Sequence, residues 1–122
     1  MPGKKVVITG MGAVTPLGLD VESTWKALCA GTSGIAPITK FDASAFPVRF
    51  AAEVKNFDPS LYMDRKLVRR FDGYMHFAYA ATAEAMKMAG LSRETITELG
   101  PDRCGMIIGS GIGGMQSFFE EC

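Results

Sequence analysis

The chain has 122 residues, of which 48% are hydrophobic and 21% charged, a length that suits one ordinary domain and not two. Lys+Arg and Asp+Glu are 13 each, so the net charge is zero at pH 7, which argues against a general nucleic-acid binder with its strong basic excess. No stretch approaches the roughly 20 apolar residues of a membrane span.

In chain order, residues 4–14 read as a buried strand, because Val6-Val7-Ile8 is β-branched and Thr9-Gly10-Met11-Gly12 follows as a tight turn. The same apolar run stands behind Lys4-Lys5 but is broken at once by Thr9, Gly10, Gly12 and Pro16. A signal peptide would need a longer apolar core, so the expected compartment is the cytoplasm. Pro16-Leu17-Gly18 punctuates the chain, and Asp20 is placed to cap a helix carrying Val21, Trp25, Leu28 and Cys29 on one face until Gly31 stops it. Residues 32–45 have no period and read as loop. Phe46, Val48, Phe50, Ala52 and Val54 then alternate with Pro47, Arg49, Ala51 and Glu53, which predicts a half-buried strand over 46–54.

The longest predicted helix begins at Asp64 and keeps a stripe of Leu67, Phe71, Met75, Ala78, Thr82, Ala85 and Ala89 to a stop at Gly90. Its second half is apolar nearly all round, as in helices covered on more than one face. A short polar helix over 93–98 leads to Cys104-Gly105-Met106-Ile107-Ile108, a second buried-type strand, and a last helix opens at Met115 with no stop signal before Cys122. Two buried-type strands and one half-buried strand make a small sheet, and parallel strands need cover on both faces. The expectation is a chain that specifies a larger core than it supplies: the opening segment of a larger α/β enzyme, ending before its catalytic residues.

Cys29, Cys104 and Cys122 have no C-x-x-C spacing and are odd in number, which fits a reducing compartment. Cys29 and Cys104 read as small buried hydrophobes. Gly109-Ser110-Gly111-Ile112-Gly113-Gly114 fits G-x-G-x-x-G between a strand and a helix, the setting of a dinucleotide fingerprint. A packing role, in which glycines let backbone segments approach closely, competes with it. Arg65, Lys66, Arg69 and Arg70 place four cations in the first turns of the long helix, the end that disfavours them by about 0.3–1 kcal/mol each. They form either a solvated face or a dock for an acidic partner. His76, the single histidine, falls on the polar side, and no Ser/His/Asp, Cys/His or metal-ligand constellation can be built around it.

Taken together, the segments resemble a known family. Val6-Val7-Ile8-Thr9-Gly10-Met11-Gly12-Ala13-Val14-Thr15-Pro16-Leu17-Gly18, Ser23-Thr24-Trp25-Lys26-Ala27-Leu28 and Gly31-Thr32-Ser33-Gly34-Ile35 resemble the opening of the β-ketoacyl-acyl carrier protein synthases. Phe41-Asp42-Ala43-Ser44, Asp64-Arg65-Lys66 with Arg69-Arg70, and residues 107–114 continue the match in order. The resemblance implies an α/β, thiolase-like fold, with residues 1–122 as part of the N-terminal half of a five-layer αβαβα architecture that assembles as a homodimer. It also implies a decarboxylative Claisen condensation in fatty-acid elongation, without cofactor or metal, on an acidic, phosphopantetheine-bearing acyl carrier protein. The family's nucleophilic cysteine and its two histidines belong to motifs that Cys29, Cys104, Cys122 and His76 do not match, so no catalytic residue is assigned here and the segment alone is expected to be inactive. Ile112, with Gly111, matches the acyl-pocket gate of the long-chain (type II) enzymes, and Arg65, Lys66, Arg69 and Arg70 match the carrier-protein dock. A polyketide-type ketosynthase, a non-catalytic ketosynthase-like subunit and a nucleotide-binding α/β module remain as alternatives.

Overall fold

The computed structural model describes residues 3–122. They fall into two compact units: one joins the chain up to Gly12 with Pro59–Cys122, and the other is Ala13–Asp58.

The unit Ala13–Asp58 consists of a turn, a helix and a two-stranded ladder. Thr15 Oγ1 accepts from the amides of Leu17 and Gly18 at 3.1 and 3.2 Å, closing the turn around Pro16. Helix α1 (Val21–Cys29) starts on Asp20, whose carboxylate accepts from the Ser23 amide at 2.6 Å, the N-cap role its position predicts. Gly31 ends it at φ +67°, a left-handed stop that costs glycine little.

Strand β1 (Ile35–Pro37) pairs antiparallel with β2 (Phe50–Ala52), with Ala36 opposite Ala51. Both strands correct the sequence reading. β1 lies inside the stretch read as loop, where three residues ending in proline are too few to show a period. β2 fills only part of the expected 46–54 strand, and the phase is reversed: Ala51 and Glu53 are covered, while Phe46, Val48 and Phe50 are exposed. The cause is polar. Glu53, 9% exposed, accepts from the Thr39 amide at 3.1 and 3.2 Å, the Thr39 hydroxyl at 2.6 Å and the Lys40 amide at 3.2 Å. These charge-assisted bonds turn Glu53 inward, and strand alternation then sends Ala52 and Phe50 the other way. The same bonds, the Thr39 hydroxyl foremost, hold the Glu53 carboxyl below the ordinary glutamate range.

The other unit is helical. Its elements are α2 (Arg65–Arg70), α3 (Gly73–Met88), α4 (Arg93–Leu99) and α5 (Met115–Glu121), with single 3-10 turns at Pro59–Leu61 and Pro101–Arg103. The single helix expected from Asp64 to Gly90 is therefore two. Phe71 (φ −104°, ψ 141°) and Asp72 (φ −71°, ψ 160°) are extended and break it, although the stripe residues Leu67, Phe71, Met75, Ala78, Thr82, Ala85 and Ala89 are all half-buried. The downstream stop is as read, with Gly90 at φ +68°. Helix α4 begins in a reciprocal cap between Ser92 and Thr95.

The two buried-type strands of the sequence reading do not form. Residues 4–14 and 104–108 have no ladder, and β1 with β2 is the one sheet among the described residues. A strand is held by a neighbour's backbone and by cover on its faces. Lacking both, Val6, Val7, Ile8 and Met106 are exposed and Ile107 is 100% exposed. Cys29 and Cys104, expected to be buried, are exposed free thiols, as is Cys122.

The N-terminal glycines do find a partner. A Cβ at Gly10 would lie 2.9 Å from the Ala89 amide nitrogen, and one at Gly12 would lie 2.7 Å from the Ala81 carbonyl carbon and 3.0 Å from the Ala85 nitrogen. Glycine lets this segment lie on the alanine face of α3, and the Met11 amide adds a 3.3 Å bond to Met88 Sδ. Close packing thus accounts for Gly10 and Gly12, and the tight turn expected over residues 9–12 is absent. Ala80, at 2% exposed, marks the best-covered point of α3.

Candidate functional site

The four candidate docking cations all lie on α2 and all are exposed. Asp64 caps this helix, accepting from the amides of Lys66 at 2.9 Å and Leu67 at 3.0 Å. The helix is only six residues long, and that corrects the dipole argument. Arg65 and Lys66 stand at the unfavourable end, but Arg69 and Arg70 occupy the last turn, where cations are favoured. The like-charged i,i+4 pairs, Arg65 with Arg69 and Lys66 with Arg70, remain. The result is a short, exposed, strongly positive helix that presents its charge to solvent.

Arg69 and Arg70 also border a small polar cavity of about 270 Å³, shared with Asp72, His76, Ser117 and Glu120. His76 is half-buried there, not on the surface as its place in the pattern suggested, and its Nε2 donates to the Val68 carbonyl at 3.1 Å. A carbonyl only accepts, so the proton sits on Nε2. The histidine ties α3 back to α2 across the break. Ser117, in the first turn of α5, donates to Asp72 Oδ1 at 2.6 Å. Neither tie is legible in the sequence, because each joins residues that no helical or strand period relates.

Gly111 and Ile112 lie in the loop over 109–114, both exposed, Ile112 to 80%. A Cβ at Gly109 or Gly111 would meet nothing within 4 Å. The far end of the loop is tighter. A Cβ at Gly113 would lie 2.8 Å from the Tyr74 ring, and Gly114 is left-handed at φ +73°. An apolar cavity of about 550 Å³ opens between α3 and the segment before this loop, lined by Tyr74, Met75, Tyr79, Met86, Met106 and Ile108 among others. Ile112 and Gly111 are not in its lining.

Among the described residues, no group of three or more His, Cys, Asp or Glu side chains is arranged to hold a metal ion. No described helix is long and apolar enough to cross a membrane.

Residues 3–121 match the family model described as beta-ketoacyl synthase, N-terminal domain. The 3-oxoacyl-[acyl-carrier-protein] synthase 2 of Coxiella burnetii is 50% identical over 115 residues, covering 94% of this chain and 27% of that protein. The protein of the same name from Synechocystis sp. is 46% identical over 118 residues, 97% of this chain and 28% of that protein. Of solved structures, the ishigamide ketosynthase/chain length factor superposes with a TM-score of 0.66 at 34% identity, over 72% of this chain and 22% of that one. A beta-ketoacyl synthase from Burkholderia phymatum gives 0.63 at 32% identity, over 79% and 24%. This chain thus spans 27–28% of the length of these curated relatives, and it shares the α/β, thiolase-like fold of the solved ketosynthases.

Proposed function

The chain belongs to the beta-ketoacyl synthase family, matching its N-terminal domain, and from that premise we propose that it forms the first part of a type II 3-oxoacyl-[acyl-carrier-protein] synthase. The observation that carries this reading is the 46–50% identity, over nearly the whole chain, to proteins of that name. The complete protein extends acyl groups in fatty-acid synthesis. A cysteine thiolate takes the acyl group from its carrier protein and releases the carrier thiol. Malonyl carrier protein then loses carbon dioxide, and the resulting carbanion attacks the acyl thioester, freeing the thiolate and leaving a 3-oxoacyl carrier protein. Two histidines stabilise the enolate and the thioester oxyanion.

This chain's part in that scheme is scaffold, dock and gate. Arg65, Lys66, Arg69 and Arg70 meet the acidic carrier protein, a reading supported by their exposure on one six-residue helix and by the encounter rate that such a patch confers. Ile112 and Gly111 gate the acyl pocket. Residues 1–122 stand as part of the N-terminal thiolase-like half, and neither the free cysteines nor His76 takes the nucleophile or histidine roles. The glycine run 109–114 falls inside the family match, which favours a ketosynthase loop over a nucleotide fingerprint. We extend the reading to a cytoplasmic homodimer, which the mass of the complete protein in solution tests.

The likeness to a ketosynthase/chain length factor favours a second reading, a non-catalytic subunit that lacks the nucleophile; a polyketide-type ketosynthase keeps the nucleophile and differs in its product. One experiment separates the enzyme from the non-catalytic subunit. Incubated with acyl-loaded carrier protein and no malonyl carrier protein, the complete protein gains the mass of one acyl group in a thioester that hydroxylamine cleaves, and the carrier leaves as its free thiol. A subunit without the nucleophile gains none, and that result would overturn the enzymatic reading.

A further inference from the structure

Asp72 stands at the N-cap of α3 with cap-like backbone angles, yet its side chain makes no capping hydrogen bond. An aspartate there ordinarily accepts from an amide in the first turn of its own helix. Its Oδ1 instead takes the Ser117 hydroxyl at 2.6 Å, 45 residues further on, a length typical of a charge-assisted O–H···O⁻ bond. Both side chains are half-buried, and both border the cavity shared with Arg69 and Arg70.

The position of Ser117 gives this bond its consequence. The serine lies in the first turn of α5, directly after Gly113 and Gly114. A Cβ at Gly114 would lie 3.4 Å from Asp72 Oδ2, and one at Gly113 would meet the Tyr74 ring. The exit of the 109–114 loop is therefore held against the start of α3 at two points, Tyr74 and Asp72. Its entry is open around Gly109 and Gly111. Ile112 is the last residue before the held end.

We propose that Asp72 is a positioning residue: through Ser117 it fixes the exit of the glycine loop and thereby sets where Ile112 stands, and with it the enzyme's discrimination between long and short acyl chains. The inference rests on the reading of Ile112 as the acyl-pocket gate. It also places the control of the gate at the end of the helix that carries the docking cations.

The test uses the complete protein with Ser117→Ala, Asp72→Ala, the double variant and Ser117→Thr. The readouts are kcat/KM for a long and a short acyl carrier protein, the KM for malonyl carrier protein, and hydrogen exchange across residues 109–115. Each alanine variant should reduce the long-to-short preference by roughly tenfold, at the low end of what one hydrogen bond to a charged group controls. Exchange should quicken at 112–115 while the malonyl carrier KM holds within about twofold, and the double variant should go no further than the singles. Ser117→Thr keeps the hydroxyl and should restore the parent preference. An unchanged preference and unchanged exchange in Ser117→Ala would overturn the inference, as would independent, additive effects of the two alanines. If Asp72→Ala fails to fold, Ser117→Ala, which removes a single hydroxyl, decides alone. If the unsubstituted protein extends no acyl chain, the proposed function has failed, and exchange at 112–115 still judges the tie.

Discussion

Gly12→Ala offers a sharp test of how residues 3–12 are held. The added Cβ would lie 2.7 Å from the Ala81 carbonyl carbon, closer still to its oxygen, and 3.0 Å from the Ala85 nitrogen. All three are backbone atoms of α3, so no side chain can swing away, and either the segment or the helix must move. Overpacking of this kind costs up to about 3 kcal/mol, occasionally more, and at roughly 4 °C per kcal/mol for a domain of this size it lowers the Tm by about 12 °C. Gly73→Ala serves as the control, because a Cβ there meets nothing within 4 Å and the position opens α3; it should be neutral or stabilise by up to about 1 kcal/mol. Thermal and urea unfolding of the 122-residue chain, followed by helical circular dichroism, measures both. A Gly12→Ala chain within about 0.5 kcal/mol of the parent, the range of an ordinary surface change, would refute the packing of this segment on α3.

Asp20→Ala should fray the start of α1 and cost about 1 kcal/mol, the usual loss for an N-cap, seen as faster amide exchange at Ser23. Glu53 titrates lower when folded than when unfolded, so the stability it adds is present above its ordinary value of 4.5 and is lost as pH falls through the depressed folded value. Glu53→Gln should therefore flatten the acid side of the stability curve below about pH 4.5, and an unchanged acid limb would argue against the Thr39 and Lys40 bonds. Reversing Arg69 and Arg70 to Glu in the complete protein should raise the carrier-protein KM about tenfold or more while leaving turnover of a free acyl thioester within about twofold; equal effects on both substrates would argue against docking.

What the sequence made legible was mostly local. Asp20, Gly31 and Gly90 stand where capping chemistry puts them, because a cap needs only its own few residues, and the last helix opens at Met115 as its sequence suggests. Strands were the reverse. The β-branched run at 6–8 has strand propensity, but propensity without a neighbouring backbone forms no ladder, and the alternation over 46–54 carried no sign that Glu53 would find donors on Thr39 and Lys40 and invert the phase. The break at Phe71 and Asp72 was masked by a stripe continuous on either side of it. At the candidate site, the resemblance singled out the cations and Ile112 as candidates. The ties of His76 to Val68 and of Ser117 to Asp72 were not, since a contact across 45 residues leaves no period to read.

On the proposed reading, this chain opens a condensing enzyme that works on carrier-bound acyl groups. Supplying the complete protein with acyl-loaded carrier protein and carboxyl-labelled malonyl carrier protein, and counting released label against extended product, tests that reading. One labelled carbon dioxide should be released for each 3-oxoacyl carrier protein formed, two carbons longer than the acyl group supplied. Release of label without extension, or neither product from a folded, acyl-charged protein, would contradict that reading.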